Sequence, residues 1–165
     1  KEASKAKYPA EQLTIHEDGD SLYEIEADVF SPNAIGAILN DTTIPKLKVR
    51  IVAGGANNQL ADPVKHAKDL HNRGILYAPD FIINRMGIVN CSNEPYGYLA
   101  AEVQDKADEV YPDTYSILHD AAEKNHSPQF EALDLAVRLA KVEHPILGHR
   151  GKRIINHLMN SGWGK

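Results

Sequence analysis

Short apolar runs alternate with amphipathic stretches over the first 90 residues, and this alternation stops near residue 95. Three of the runs are rich in β-branched residues and lie next to turn residues, at residues 28–30, 49–53 and 75–78; a weaker fourth run occupies residues 13–15. Strand-sized runs separated by helix-like sequence are typical of strand–helix–strand units. The sequence therefore predicts an α/β fold with a parallel sheet.

Helical patterns fill most of the remaining chain. Apolar residues recur at helical spacing between the second and third predicted strands, which predicts a crossover helix with Leu60, Val64, Ala67 and His71 on one face. Beyond residue 95 three helices are predicted, near residues 99–110, 113–124 and 127–140. The last has Ser127 as N-cap and an apolar face of Phe130, Leu133, Val137 and Ala140. The chain is thus expected to pass from α/β to all-α.

The charge balance and the single cysteine restrict the partners and the compartment. The chain has 165 residues, 18 Lys+Arg against 23 Asp+Glu and a formal net charge of -5, which disfavours nucleic acid as a partner. No apolar stretch reaches the roughly 20 residues of a membrane span. One cysteine, Cys91, cannot form an internal disulfide, so a cytoplasmic location is expected.

Small and amide-bearing residues follow the ends of the three predicted strands, at residues 31–36, 54–59 and 79–90. Ligands of open parallel sheets bind outside the carboxyl ends of the strands, so we predict that the three loops share one ligand crevice. Gly54 and Gly55 are expected to let a ligand approach the backbone closely. The alternative is an Asx turn followed by a short helix for the first loop, and a tight strand-to-helix turn with Asn caps for the second.

The histidines and Cys91 favour structural roles. His66 and His71, like His144 and His149, are five residues apart, which is not the four-residue spacing of two metal ligands on one helix face. We therefore predict surface or capping histidines and no metal site. Cys91 lies in an apolar run and is predicted to be a packed thiol. The basic residues 148–153 are predicted to form a helix-end patch or an interface.

Three motifs resemble the glutamate/leucine/phenylalanine/valine dehydrogenase family. Residues 52–60 resemble its strand that ends in Ala-Gly-small-Ala-Asn-Asn-Gln-Leu, and residues 76–90 resemble its Tyr-Ala-Pro-Asp-Tyr segment with the Asn-rich stretch after it. Residues 28–45 resemble its Phe-Ala-Pro-Cys-Ala-Leu-Gly segment. The resemblance covers roughly residues 10–98 well, and the helical tail resembles a bacterial subgroup more loosely.

The resemblance implies a partial Rossmann-type NAD-binding domain over residues 1–95, with a C-terminal helical segment over residues 96–165 packed on it. It implies a homo-oligomeric enzyme that deaminates an apolar L-amino acid to its 2-oxo acid with NAD, NADP not being excluded. The family's Gly-x-Gly-x-x-Gly turn and its catalytic lysines match no position here. We therefore expect no catalytic residue in this chain, a catalytic domain upstream in the same enzyme, poor NAD affinity and no activity from the chain alone.

The resemblance also assigns site residues. It places Ser31, Pro32, Asn33 and Ala34 beside the nicotinamide ribose, Asn57 beside the same part of the cofactor and Asn84 next to the carboxamide. Asn58 matches the residue that holds the substrate, and Ile88 and Cys91 fall where two aliphatic residues line the pocket for its side chain. The chain departs from the family pattern at Asn33, Cys91 and the pair Arg85-Met86, which replaces Ala-Gly.

Two other interpretations remain open on the sequence alone. The chain could be a non-catalytic dinucleotide-binding or oligomerisation module that keeps only the scaffold. It could also be an α/β binding protein with a chance resemblance, although three motifs in the right order count against that.

Overall fold

The computed structural model describes residues 12–93 and 100–142 of the protein. A parallel sheet forms the first half, with strands β1 (Glu26–Phe30), β2 (Lys48–Val52) and β3 (Leu76–Tyr77) in the order β1-β2-β3. In its register Val29 lies beside Ile51, and Ile51 lies beside Leu76. The predicted parallel α/β sheet is confirmed.

The fourth predicted strand is wrong. Residues 13–15 are irregular and precede a 3-10 helix, Asp20–Glu24. A short apolar run of three residues forms a strand only if its backbone pairs with a neighbouring strand. In the described part of the chain β1 pairs with β2 alone.

Six α-helices occur in the described part of the chain. They are α1 (Lys65–Asn72), α2 (Asp80–Ile83), α3 (Met86–Asn93), α4 (Ala100–Asp108), α5 (Val110–Glu123) and α6 (Pro128–Ala140). Ser127 caps α6 as predicted, since its side chain accepts from the N–H of Gln129. Among the described helices, none is both long and apolar enough to cross a membrane.

The crossover helix begins five residues later than its predicted apolar face. Leu60 is not helical; it forms a single parallel bridge with Leu39, and both side chains are buried. Val64, which was predicted to face the core, is 52% exposed. The pattern misled because an apolar residue buried in extended backbone has the same local signature as the first residue of a helix face.

The main core lies between the sheet, α1 and the turn before β2. Its buried members include Leu39, Val52, Leu70 and Tyr77, all at most 1% exposed. Parallel strands need such cover because their apolar side chains cannot face water. This packing fixes the sheet, and with it the positions at which the three strands end.

A smaller core ties the helical half together. Ile82 of α2, Ile117 of α5 and Ala132 of α6 are buried in one cluster. Phe130 of α6 packs against the main core, so the hairpin of α5 and α6 contacts both clusters. The predicted apolar face of α6 is only partly covered in the described structure, because Leu133 and Val137 are 37% and 51% exposed.

Glu131 is the buried centre of a charge cluster at the turn between α5 and α6. Lys124 Nζ lies 2.8 Å from both carboxylate oxygens, and His126 Nε2 lies 2.6 Å from Oε1. Its side chain is only 9% exposed. Hydrogen bonding from Lys124, helped by His126, lowers the pKa of Glu131 below its ordinary value of 4.5.

Glu131→Gln should destabilise the chain in a pH-dependent way. A carboxylate with a lowered pKa in the folded state stabilises fully above its unfolded pKa, and this contribution is lost as the pH falls through the folded value. The difference in Tm between the two proteins should therefore be largest at neutral pH, begin to shrink near pH 4.5 and vanish only below the lowered pKa of the folded state. Thermal unfolding followed by circular dichroism would measure it. Asp134→Asn, at a side chain 64% exposed on the same helix, is the control, and a difference that is constant with pH would contradict the prediction.

Candidate functional site

Three loops leave the carboxyl ends of the strands and lie side by side. The first loop, residues 31–39, follows β1; the second, 53–61, follows β2; and the third, 78–85, follows β3. The first two continue the parallel pairing beyond the sheet, because the Ala37 N–H donates to the carbonyl of Asn58 at 2.7 Å. The prediction that the three loops converge at one edge of the sheet is confirmed.

Pro32 and Gly54 are in very close contact. A Cβ at Gly54 would lie 2.1 Å from the Pro32 carbonyl oxygen, and that oxygen also accepts from the Ala56 N–H at 2.9 Å. The space at Gly55 is taken by Asn33 Oδ1, 3.0 Å from a built Cβ. The prediction is therefore wrong for Gly54, which is buried and makes room for the first loop, whereas for the exposed Gly55 it stays a prediction.

The side chain of Asn33 joins the first loop to the second. Its Oδ1 accepts from the Gly55 N–H at 2.8 Å, and its Nδ2 donates to Ser31 at 2.9 Å (carbonyl) and 3.0 Å (Oγ). Ser31, Asn33 and Ala34 are exposed, whereas Pro32 is buried. The exposed three are therefore accessible to a ligand, while Pro32 holds the loops together through its carbonyl.

The side chain of Asn84 joins the third loop to the second. Its Nδ2 donates to Asn57 Oδ1 at 2.7 Å and to the Gly55 carbonyl at 3.2 Å. The Gly55 residue thus bonds Asn33 through its N–H and Asn84 through its carbonyl. We call Ser31, Asn33, Gly55, Asn57 and Asn84 the amide network. It brings together residues from all three predicted site segments.

Two polar groups of the amide network are left available. Among the described residues, Asn57 Nδ2 and Asn84 Oδ1 make no hydrogen bond, although the two side chains are joined to each other. One is a donor and the other an acceptor, and no ionised side chain belongs to the network. Such a pair is suited to a neutral ligand that carries both an acceptor and a donor.

The sequence places Asn58 at the start of the predicted crossover helix, but the structure does not. Its φ is 53°, a left-handed conformation that Asn adopts more readily than most residues. The helix begins seven residues later, at Lys65. Asn58 is exposed, and its carbonyl holds the first loop through Ala37. A capping role for its side chain is therefore ruled out.

Ile88 and Cys91 lie three residues apart on one side of α3. Ile88 is 81% exposed, and Cys91 is an exposed free thiol. The prediction of a packed thiol is wrong, because this side of α3 faces outward in the described structure.

Gln59 and Asp80 are structural members of the site to which sequence reasoning gave no role. Gln59 is fully buried and donates from Nε2 to the carbonyls of Gly54 (2.7 Å) and Ala56 (2.9 Å). Its own N–H donates to Asp80 Oδ2 at 3.2 Å. Their local sequence contexts, Asn-Asn-Gln for Gln59 and Ala-Pro-Asp for Asp80, do not indicate that either side chain is buried.

Asp41, His66 and Asp69 come together although the histidine spacing gave no sign of it. The group already holds a cation, because Lys65 Nζ contacts Asp41 and lies 3.1 Å from Asp69. His66 is buried, and of the two predicted roles, surface and capping, it takes the capping one at the start of α1. Its Nδ1 accepts from the Asp62 N–H, so Nε2 carries the proton and donates to Asp41 at 3.2 Å. A donating nitrogen cannot ligate a metal, and we assign the group to an ion-pair network.

A second group of three, His119, Asp120 and Glu123, lies on α5, and its side chains are 53%, 49% and 70% exposed. It is a solvated acidic face. His144, His149 and the basic residues 148–153 lie outside the described residues.

Gly54→Ala should unfold the chain at a lower temperature. The new Cβ would overlap the Pro32 backbone, and overpacking of this kind costs about 1–3 kcal/mol. The matched control is Gly87→Ala in α3, where nothing lies within 4 Å of the added Cβ, so the Tm should be unchanged or slightly raised. Equal Tm values for the two variants would show that the Pro32 contact is not required.

Comparison with known proteins finds several dehydrogenases that are similar to this chain. The chain is 39% identical over 117 residues to a leucine dehydrogenase of Geobacillus stearothermophilus, covering 71% of this chain and 31% of the relative. It is 48% identical over 103 residues to a phenylalanine dehydrogenase of Lysinibacillus sphaericus, covering 62% and 27%. The crystal structure of the L-tryptophan dehydrogenase from Nostoc punctiforme matches with a TM-score of 0.68 and 37% identity, over 72% of this chain and 36% of that one.

The matched region thus spans about a third of the length of these relatives. A profile of the Glutamate/Leucine/Phenylalanine/Valine dehydrogenase family matches residues 1–140. The profile and the relatives agree with the three motifs that the loops carry. The chain belongs to the glutamate/leucine/phenylalanine/valine dehydrogenase family.

Proposed function

We propose that this chain forms the nicotinamide side of the active site of an NAD(P)-dependent dehydrogenase that oxidatively deaminates apolar L-amino acids. The observation that carries the proposal is the amide network, which offers a donor and an acceptor side by side at the carboxyl edge of a parallel sheet. Family membership supports the reaction class.

The amide network fits the nicotinamide carboxamide, which presents one acceptor and two donors. Asn57 Nδ2 would donate to its oxygen, and Asn84 Oδ1 would accept from its amino group. Ser31, Pro32, Asn33 and Ala34 would lie beside the ribose. When bound, the nicotinamide would accept a hydride from the α-carbon of the substrate. The residues of this chain bind and orient; none of them is assigned a proton transfer.

Asn58 would hold the substrate, because its exposed amide can donate to a carboxylate without adding a charge. Ile88 and Cys91 would line the pocket for an apolar side chain. The large exposed apolar surface of Ile88 supports this role, since such surfaces are often covered by a ligand or another part of a protein. One methylene is worth only about 1–3 kcal/mol in such a pocket, so related aliphatic substrates should be tolerated and glutamate rejected.

The proposal includes a cytoplasmic homo-oligomer in which an upstream domain of the same enzyme supplies the catalytic lysine. The alternative is a non-catalytic dinucleotide-binding or oligomerisation module. A reading frame that contains this chain together with a Gly-rich lysine segment would support the enzyme, and a frame without one would support the module.

Asn57→Ala and Asn84→Ala should each weaken binding of nicotinamide mononucleotide by about five- to tenfold, because one hydrogen bond is worth about 1 kcal/mol. Titration of the ¹⁵N-labelled chain followed by NMR would measure it. The control is Asn72→Ala, at an exposed Asn that ends α1. The proposal fails if the wild type shows no shifts at Asn57 and Asn84, or if all three variants bind alike.

Asn58→Asp should leave the Tm nearly unchanged, because Asp also tolerates the left-handed conformation at φ 53°. In an active enzyme that contains this segment, kcat/KM should nevertheless fall more than about tenfold, since a negative charge would stand beside the substrate carboxylate. Asn58→Gly is the control for the backbone, because it removes the amide without adding a charge and should lose less activity. A kcat/KM within about threefold of the wild type would refute the assignment.

A further inference from the structure

Asn84 is held between two anchored residues of the third loop. Before it, the Asp80 carboxylate accepts from the N–H groups of Gln59 (3.2 Å) and Phe81 (2.9 Å). After it, Arg85 Nη1 lies 2.6 Å from Asp113 Oδ2 on α5. The first anchor joins the third loop to the second, and the second anchor joins it to the helical hairpin.

Helix α2 is too short to fix Asn84 by itself. It has four residues, and Asn84 stands at its C-terminal end with a φ of -107° and a ψ of 8°. The Asn84 N–H donates to the carbonyl of Asp80 at 2.9 Å, which closes the last turn of the helix but does not itself orient the side chain. The side chain is held instead by its hydrogen bonds to Asn57 and Gly55, and Arg85 is the next residue of the backbone from which it extends.

The electrostatic attraction between Arg85 and Asp113 is screened less by solvent than that of the other long-range arginine pair in the described chain. The two side chains are 23% and 43% exposed, against 80% and 78% for Arg50 and Asp28 on the sheet. Partial burial reduces screening by water and salt. Ile82, three residues before Arg85, packs against Ile117, four residues after Asp113, so charge and packing both join the third loop to α5.

We propose that the Arg85–Asp113 ion pair is a positioning device that keeps the Asn84 amide on Asn57, so that the α5–α6 hairpin sets the geometry of the amide network. Arg85 and Asp113 are positioning residues in this scheme, because they act through Asn84. The consequence for cofactor affinity rests on the proposed function, whereas the orientation of Asn84 does not.

The test is the NMR signature of the Asn84 side-chain amide in the full chain. Asp113→Asn and Arg85→Gln should each move the two Asn84 amide proton signals toward those of a solvated amide. Arg85→Lys, which keeps the cation, and the charge swap of Arg85→Asp with Asp113→Arg should retain or restore the wild-type signals. The Asn40 amide, which donates to the Ala37 carbonyl at 3.1 Å, is the internal reference. The control variant is Asp28→Asn, which removes the exposed pair.

Unchanged Asn84 signals in folded Asp113→Asn and Arg85→Gln would overturn the proposal. If either variant fails to fold, Arg85→Lys and the charge swap decide: restored signals support the proposal, and a folded swap without the wild-type Asn84 signals refutes it. Nicotinamide mononucleotide binding is measured in parallel and should weaken severalfold in the two single variants. A wild type that does not bind it defeats the proposed function and leaves the Asn84 test intact.

Discussion

The contact between the backbones of Pro32 and Gly54 is the constraint on which the site depends. Any side chain at residue 54 would occupy the space of the Pro32 peptide, so only glycine lets the first two loops run together beyond the sheet. That pairing brings Asn33 to the Gly55 N–H, and the same Gly55 residue then receives Asn84 from the third loop. Three segments separated by more than 20 residues become one polar surface in this way.

The amide network is neutral, because none of its side chains is ionisable. Asp80 is buried beneath the loops, and peptide N–H groups from Gln59 and Phe81 satisfy its carboxylate. Burial, together with the nearby Asp80, raises the pKa of Tyr77, so its hydroxyl stays protonated. A neutral surface above a buried carboxylate that is already hydrogen-bonded can receive the uncharged amide group of a ligand without opposing a fixed charge.

The helical half contacts the site through its packing on α2 and through the ion pair of Asp113 with Arg85. Ile82, Ile117 and Ala132 join α2 to the hairpin, and Glu131 ties the turn of the hairpin through Lys124 and His126. Because the pKa of Glu131 is lowered by these partners, acid weakens the hairpin, whose helix α6 packs against β3 and whose helix α5 packs against α2. The stability of the hairpin and the placement of Asn84 are therefore linked through packing.

The sequence alone was enough to locate the parallel strands within two residues, the cap of α6 at Ser127, and the three loops that form the site. These features depend on local composition: β-branched runs, a Ser-Pro pair, and small or amide-bearing residues where strands end. The tertiary structure alone decided the roles of individual side chains. Leu60 is extended and Asn58 is left-handed, while Cys91 is exposed and His66 is buried. Each of these states depends on whether a distant part of the chain packs against the residue. The hydrogen bonds that join one loop of the amide network to another link residues 22 to 29 positions apart. No local pattern encodes which amide meets which, because that depends on how closely the backbones approach.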